Sequence, residues 1–422
     1  MPPDASVSHD VERARFRAVE AEISTLEGRL DALRTERAEI QARRMDTFSF
    51  PVLTLPTEIM AEIFTRFLPP YPSHPPLSGP ESPTRLLAIC RLWRTIALQN
   101  RTLWRAIHVG GRVEVDEELL SVVREWFSRS GTCKLSLRFD NLYLGFGPGM
   151  FVKSFEGGKK HLLDLALSHR QRWEYIHWTF NPSLTPAISG PAPELRQLTL
   201  ISAKTTDYPP ITFGPLPRLR SLCLWNVPYT LDTFAWHELT SLSLLNYNFE
   251  QILPVLGSAT QLVRCRLHIS YDGQASQEYH TGRIELPRLE TFLLYRISHG
   301  AAAWGSDRLA PFVLPSLRRL EISENFLGDE TSPDCEWLRS MISRSRCALE
   351  RLRVLREFLA PEVDDLPEQV QACRAAFPDV VLDYTEDYDI DGEDEWTLAE
   401  YWDVKPTRRW SISPDSESSS SS

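Results

Sequence analysis

The chain has 422 residues, 42% hydrophobic and 10% aromatic, enough apolar material for two or three domains or for a small module followed by an extended one. No stretch approaches the uninterrupted apolar length of a membrane span, and the start, MPPDASVSHDVERARF, carries no apolar secretory core, so neither membrane insertion nor secretion is expected. The net charge of −11 sits almost wholly in residues 379–422, where 13 acids face Lys405, Arg408 and Arg409 for a balance of −10; the remaining −1 leaves no basic surplus for nucleic acid.

Over residues 10–46, Phe16, Val19, Ile23, Leu26, Leu30, Leu33 and Ile40 recur at steps of three and four, interrupted by Arg37, with Gly28 on the polar side. This is a heptad pattern of about four repeats, open to two readings: a lone amphipathic helix, or a coiled coil that joins two copies. LPTEIMAEIFTRFL (55–68) predicts a helix entered near Pro56 and capped by Thr54 or Thr57, with Ile59, Ile63, Phe64 and Phe67 on one face. PPYPSHPPLSGPESP (69–83) is too rich in proline to be helical and reads as a solvated loop. Leu86, Leu87, Ile89, Cys90, Trp93, Ile96 and Ala97 then predict a second amphipathic helix, and LWRAIHV a short strand.

From there a template recurs: apolar, two residues, apolar, one residue, apolar. APELRQLTL, LPRLRSLCL, WHELTSLSL, ATQLVRCRL, LPRLETFLL, LPSLRRLEI and CALERLRVL carry it, with first positions Leu195, Leu219, Leu239, Leu262, Leu289, Leu317 and Leu349. Weaker copies begin at Trp104, Thr132 and Trp173. L-x-x-L-x-L at intervals of roughly 20–29 residues is the leucine-rich-repeat pattern, in which each unit adds one strand to a curved parallel sheet. The spacing here is uneven, so an irregular solenoid is expected over 109–378, with helical return segments at 116–130, 159–171, 249–257 and 335–345. The acidic, serine-rich stretch 386–422 reads as a disordered tail.

Nothing points to catalysis. The ten histidines include no H-E-x-x-H and no zinc-like spacing, and GFGPG (145–149) and FEGGKK (155–160) fit neither phosphate-loop pattern and read as surface turns. His177 and His268 alternate with apolar residues on expected strands. Seven cysteines without a C-x-x-C pair fit reduced thiols in the cytoplasm or nucleus. The two helices of 53–108 stand out instead, because so small a module has too little interior for all their large apolar side chains.

Leu55-Pro56-x-Glu58-Ile59-x-x-x-Ile63-Phe64, then Ile89-Cys90-Arg91-x-Trp93-Arg94-x-Ile96-Ala97 and Leu103-Trp104-x-x-Ile107, resembles an F-box, in the F-box-like form frequent in fungal families with degenerate leucine-rich repeats. The resemblance covers 53–108, with 69–84 as a proline-rich insertion, and is architectural only over 109–378. It implies a non-catalytic module that binds a Skp1-like adaptor and, through it, a cullin scaffold and a RING protein. Leu55, Pro56, Ile59, Ile63, Phe64, Leu86, Ile89 and Trp93 would meet the adaptor, while Trp104 and Ile107 lock the module to the first repeat.

The expected molecule is therefore α/β: an N-terminal helix, a small all-α F-box, then an irregular leucine-rich-repeat solenoid. Its expected work is substrate recognition within an SCF-type ubiquitin ligase, with a protein target on the repeats. It would need no cofactor, metal, nucleic acid or membrane. The alternative is a protein-interaction scaffold outside ubiquitin chemistry, assembled through the heptad helix.

Overall fold

The computed structural model describes residues 5–47, 52–110, 115–140, 156–180, 190–202, 210–270, 282–296, 311–327, 335–356 and 367–385. GFGPG and the tail 386–422 lie outside them. The chain divides into two compact units, one ending at Glu62 and one beginning at Ile63.

The first unit contains α1, a single uninterrupted helix over Ala5–Thr47. Its apolar seam is uncovered: Phe16, Val19, Ile23, Leu26, Leu30, Leu33 and Ile40 are 46–65% exposed. The helix α2 (Thr57–Phe67) runs across the boundary between the units.

The second unit is mixed α/β and built on a parallel sheet of 11 strands whose spatial order follows chain order, β1-β2-β3-β4-β5-β6-β7-β9-β11-β12-β13. The strands are β1 (Ala106–Val109), β2 (Leu135–Phe139), β3 (Trp173–Phe180), β4 (Gln197–Ser202), β5 (Ser221–Trp225), β6 (Ser241–Tyr247), β7 (Arg264–Ile269), β9 (Thr291–Arg296), β11 (Arg319–Ser323), β12 (Arg351–Leu355) and β13 (Val381–Thr385). The short β8 (Ile284–Glu285) and β10 (Phe312–Val313) form a separate parallel pair.

Each of the seven template copies opens a strand two residues after its first leucine. The leucine itself ends a tight turn: the N–H of Leu195, Leu219, Leu239, Leu262, Leu289 and Leu317 each donates to the carbonyl three residues earlier, at 3.1–3.3 Å. The other two apolar positions then alternate inward, as the two-residue period of a strand requires. They stack in register as two rows. Leu198, Leu222, Leu242, Cys265, Phe292, Leu320 and Leu352 form one, and Leu200, Leu224, Leu244, Leu267, Leu294, Ile322 and Val354 the other, all no more than 1% exposed.

Return helices follow the strands: α4 (Glu117–Ser130), α5 (Glu156–Ser168), α6 (Phe249–Ser258) and α7 (Glu336–Ser345). Two elements exceed the sequence reading, namely α8 (Glu368–Ala376) and β13, which carries the sheet past residue 378 to Thr385. The pair of glycines in FEGGKK lies inside α5 rather than in a surface turn. Cys335 and Cys373 form a disulfide with Cα atoms 5.9 Å apart, which corrects the expectation of thiols throughout. Their separation of 38 residues leaves no local spacing signal, because the first residue before α7 meets α8 only in the folded chain.

Candidate interaction site

The expected second helix of the 53–108 module is broken into two pieces. Pro83–Ala88 is a 3-10 turn capped by Ser82, whose Oγ accepts from Thr84 N–H at 3.2 Å. Then Cys90, in extended backbone, starts α3 (Arg91–Gln99), its sulfur accepting from Trp93 N–H at 3.5 Å. Asn100 closes α3 and opens a further turn at Arg101–Trp104.

Both helices are apolar on two faces. On α2, Met60 and Phe64 are one turn apart and buried, while Ile59, Ile63 and Phe67 form a second one-turn series that points outward. Ile96 and Ala97 of α3 are buried, whereas Ile89 and Leu92 are exposed. The Phe64 and Trp93 rings meet at 4.8 Å. Trp104 is buried, donates Nε1–H to Ala97 O at 2.9 Å, and packs edge-on against Trp126 of α4 at 5.0 Å. Ile107 is buried in β1. Trp104 and Ile107 thus join α3 to the first strand and first return helix.

The eight residues implied as adaptor contacts accordingly separate. Pro56, Ile59, Ile63 and Ile89 are exposed, and Leu55 and Trp93 are half-buried. Phe64 and Leu86 are interior, with Phe64 at 0% exposure, so their part is to hold the outward residues in place rather than to meet a partner. Helical spacing alone did not separate Ile63 from Phe64, since adjacent residues lie about 100° apart on a helix that is apolar over much of its circumference.

The 69–84 insertion is not a free loop. It lies against the polar side of β1–β3 as a strap. The Tyr71 hydroxyl donates to Glu174 at 2.7 Å, and its ring sits under the Arg105 guanidinium at 3.7 Å and edge-on to Tyr175. Ser136 Oγ donates to Pro72 O at 2.7 Å and lies 2.8 Å from His74 Nε2. At the sheet's edge His108 N–H donates to Pro75 O at 2.9 Å. Burial and the Glu174 contact push the Tyr71 hydroxyl well above its ordinary range. Beneath the strap, Asp140 lies 3.0 Å from both His108 Nε2 and His177 Nε2 and accepts from Arg138 Nε at 2.5 Å. Burial alone would raise the Asp140 carboxyl, but these three bonds outweigh it and hold the group far below the carboxylate range. Burial, together with Arg138, His177 and His108, lowers His74 to about 3.

The polar side of the sheet changes character along its length. Arg264, Thr291, Arg319, Arg351 and Val381 form one register row, and Arg266, Leu293, Glu321, Arg353 and Asp383 the next. Five arginines therefore face two acids over β7–β13. Glu321 is fully buried, bonded by the Tyr295 hydroxyl and 3.4 Å from Arg353. His177 and His268 are buried on this same polar side, and burial lowers His268 well below its usual value. Of the strand aromatics, Trp178 and Tyr247 are buried and Trp225 is half-buried; in the connection between β5 and β6, Trp236 is buried and Tyr229 half-buried. Among the described residues no group of three or more histidine, cysteine or acidic side chains is arranged to hold a metal ion, and no helix is long and apolar enough to cross a membrane. A scan of protein families finds no match for this chain, and a search of curated proteins finds none either.

Proposed function

We propose that the protein is a substrate-recognition subunit of an SCF-type ubiquitin ligase, with residues 53–108 as an F-box that takes a Skp1-like adaptor and the strands as irregular leucine-rich repeats that take a target. The single observation that carries this reading is the outward apolar set Ile63 and Phe67 on α2, Leu92 on α3 and Ile89 between the 3-10 turn and α3, while Phe64, Leu86 and Ile96 of the same segments are buried. Large side chains left in water at Ile63 and Phe67 of α2, Leu92 of α3, and Ile89 just before α3 fit a surface waiting to be covered. The protein then contributes position rather than chemistry, holding a target lysine near a ubiquitin-loaded enzyme at raised effective concentration. This function belongs in the cytoplasm or nucleus.

Capture by immobilised Skp1-like adaptor tests the first half of the reading. Wild type should bind, and Ile63→Asp and Ile89→Asp should not. Wild type with no measurable affinity would leave the second reading, a scaffold outside ubiquitin chemistry, which the uncovered seam of α1 favours.

A further inference from the structure

The heptads of α1 run without a break from Phe16 to Ile40. Phe16, Ile23, Leu30 and Arg37 occupy the a positions, and Val19, Leu26, Leu33 and Ile40 the d positions. All of these side chains are exposed. A helix this long, with an apolar stripe facing water that only Arg37 interrupts, calls for another helix, and the flanking charges say which one. The e positions are Glu20, Glu27 and Arg34, and the g positions are Arg15, Glu22, Arg29 and Glu36.

In a parallel pair each g residue meets the e residue five positions later on the partner. That sets Glu22 against Glu27 and Arg29 against Arg34, so two of the three charged contacts repel on each side. An antiparallel pair instead sets e against e and g against g, with a-position residues facing d-position residues. Aligned about the middle of Phe16–Ile40, it places Glu22 opposite Glu36 and Arg29 opposite Arg29, again repelling. That alignment also sets Glu20 opposite Arg34, but three of its four kinds of charged contact repel; shifted by one heptad, so that the two-fold axis passes between Asp31 and Ala32, no like charges of the described residues face each other. Glu27 now faces Arg34, and Arg29 faces Glu36, each twice by symmetry. The core layers become Ile23 on Ile40, Leu30 on Leu33, Leu26 on the aliphatic stem of Arg37, Val19 on that of Arg44, and Phe16 on Thr47, also each twice. This overlap spans residues 16–47 and so uses α1 to its last residue.

We infer that α1 pairs with α1 of a second copy of this chain as an antiparallel two-stranded coiled coil centred between Asp31 and Ala32. Arg37, and Arg44 one heptad later, are polar side chains at a positions that each cost stability, so both face a d residue with only their aliphatic stems in the seam. Arg34 bonds Asp31 of its own helix at 3.1 Å, and both are exposed, so its remaining N–H groups are available to Glu27 of the other copy. The inference is independent of the adaptor reading.

Sedimentation equilibrium of the full chain at low salt is the test. The expected species has twice the 48.4 kDa chain mass. Glu27→Arg should weaken the dimer about tenfold, since two attractive pairs become repulsive, and Glu27→Arg with Arg34→Glu should restore it. The sign is decisive: in a parallel pair the new arginine would face Glu22 and tighten the dimer. Leu30→Lys should give a monomer whose circular dichroism still shows the folded second unit. A wild type that stays monomeric at about 100 μM, a dimer that survives Leu30→Lys, or a dimer strengthened by Glu27→Arg would each overturn the proposal.

Discussion

Replacing Ile63 by aspartate and its neighbour Phe64 by alanine should damage two different properties. Phe64 is fully buried against Trp93, and truncating such a ring costs about 3–5 kcal/mol in lost transfer energy and cavity. Thermal unfolding should therefore fall by several degrees, and adaptor capture should fail only because the module opens. Ile63 is 43% exposed. Complete burial of an isoleucine contributes about 1.5–3 kcal/mol, so covering the exposed part contributes about 1 kcal/mol, and Ile63→Ala should weaken adaptor binding about fivefold. Ile63→Asp adds the cost of desolvating an unpaired carboxylate, several kcal/mol, and should weaken binding more than about a hundredfold while leaving the melting temperature near wild type. Calorimetric titration with a Skp1-like adaptor, paired with a melt of each variant, reads both quantities. If Ile63→Asp lowers the melting temperature as far as Phe64→Ala does, the outward face is not a face. If it melts normally and still binds, the adaptor docks elsewhere.

Tyr71→Phe removes the donor to Glu174, a half-buried bond of about 1–3 kcal/mol, so hydrogen exchange over 69–84 should accelerate while the sheet stays protected. Trp104→Phe leaves the buried Ala97 carbonyl without its partner and should cost about 1–3 kcal/mol in chemical denaturation, with no loss in the variant counting against the bond as a structural tie. Stability should also depend on acid. Because folded His74 sits near 3, the unfolded chain protonates first as pH falls below about 6.5. The stability held by the neutral imidazole is therefore complete above that pH and declines on the way down, by about 2 kcal/mol at pH 5. His268 adds in the same direction, whereas Asp140, held low, contributes only below the ordinary carboxylate range. Denaturation at pH 7 and pH 5 should show the decline, and His74→Gln should lessen it.

The sheet was legible because its signal is local and repeated. Two inward leucines at alternate positions after a turn leucine can serve only a strand buried on one side, and seven copies made the pairing order plain. β13 went unread because its register puts Leu382 and Tyr384 at the two inward positions but Asp379 where the other copies have the turn leucine, and Pro378 and Asp379 resemble a loop at the start of the acidic tail. The break at Cys90 was hidden because the apolar residues on both sides keep helical spacing; only the cap geometry reveals it. The strap was misread for a different reason. Its prolines do exclude a helix, but what ties it down is tertiary, Tyr71 reaching a glutamate 103 residues away. The division of the candidate face into Ile63 and Phe64 likewise depends on which side of α2 the rest of the unit occupies.

A sheet that grows by one strand per repeat has two open ends, and the strap treats them unequally. At β1 the rim is occupied by Pro75 and Pro76, and proline brings no N–H with which a further strand could zip on. A further strand therefore cannot add outside β1, whereas among the described residues no proline rim of this kind borders the neighbours of β1 within the sheet. The proline strip thus fixes a starting line from which the eleven strands are counted off in chain order.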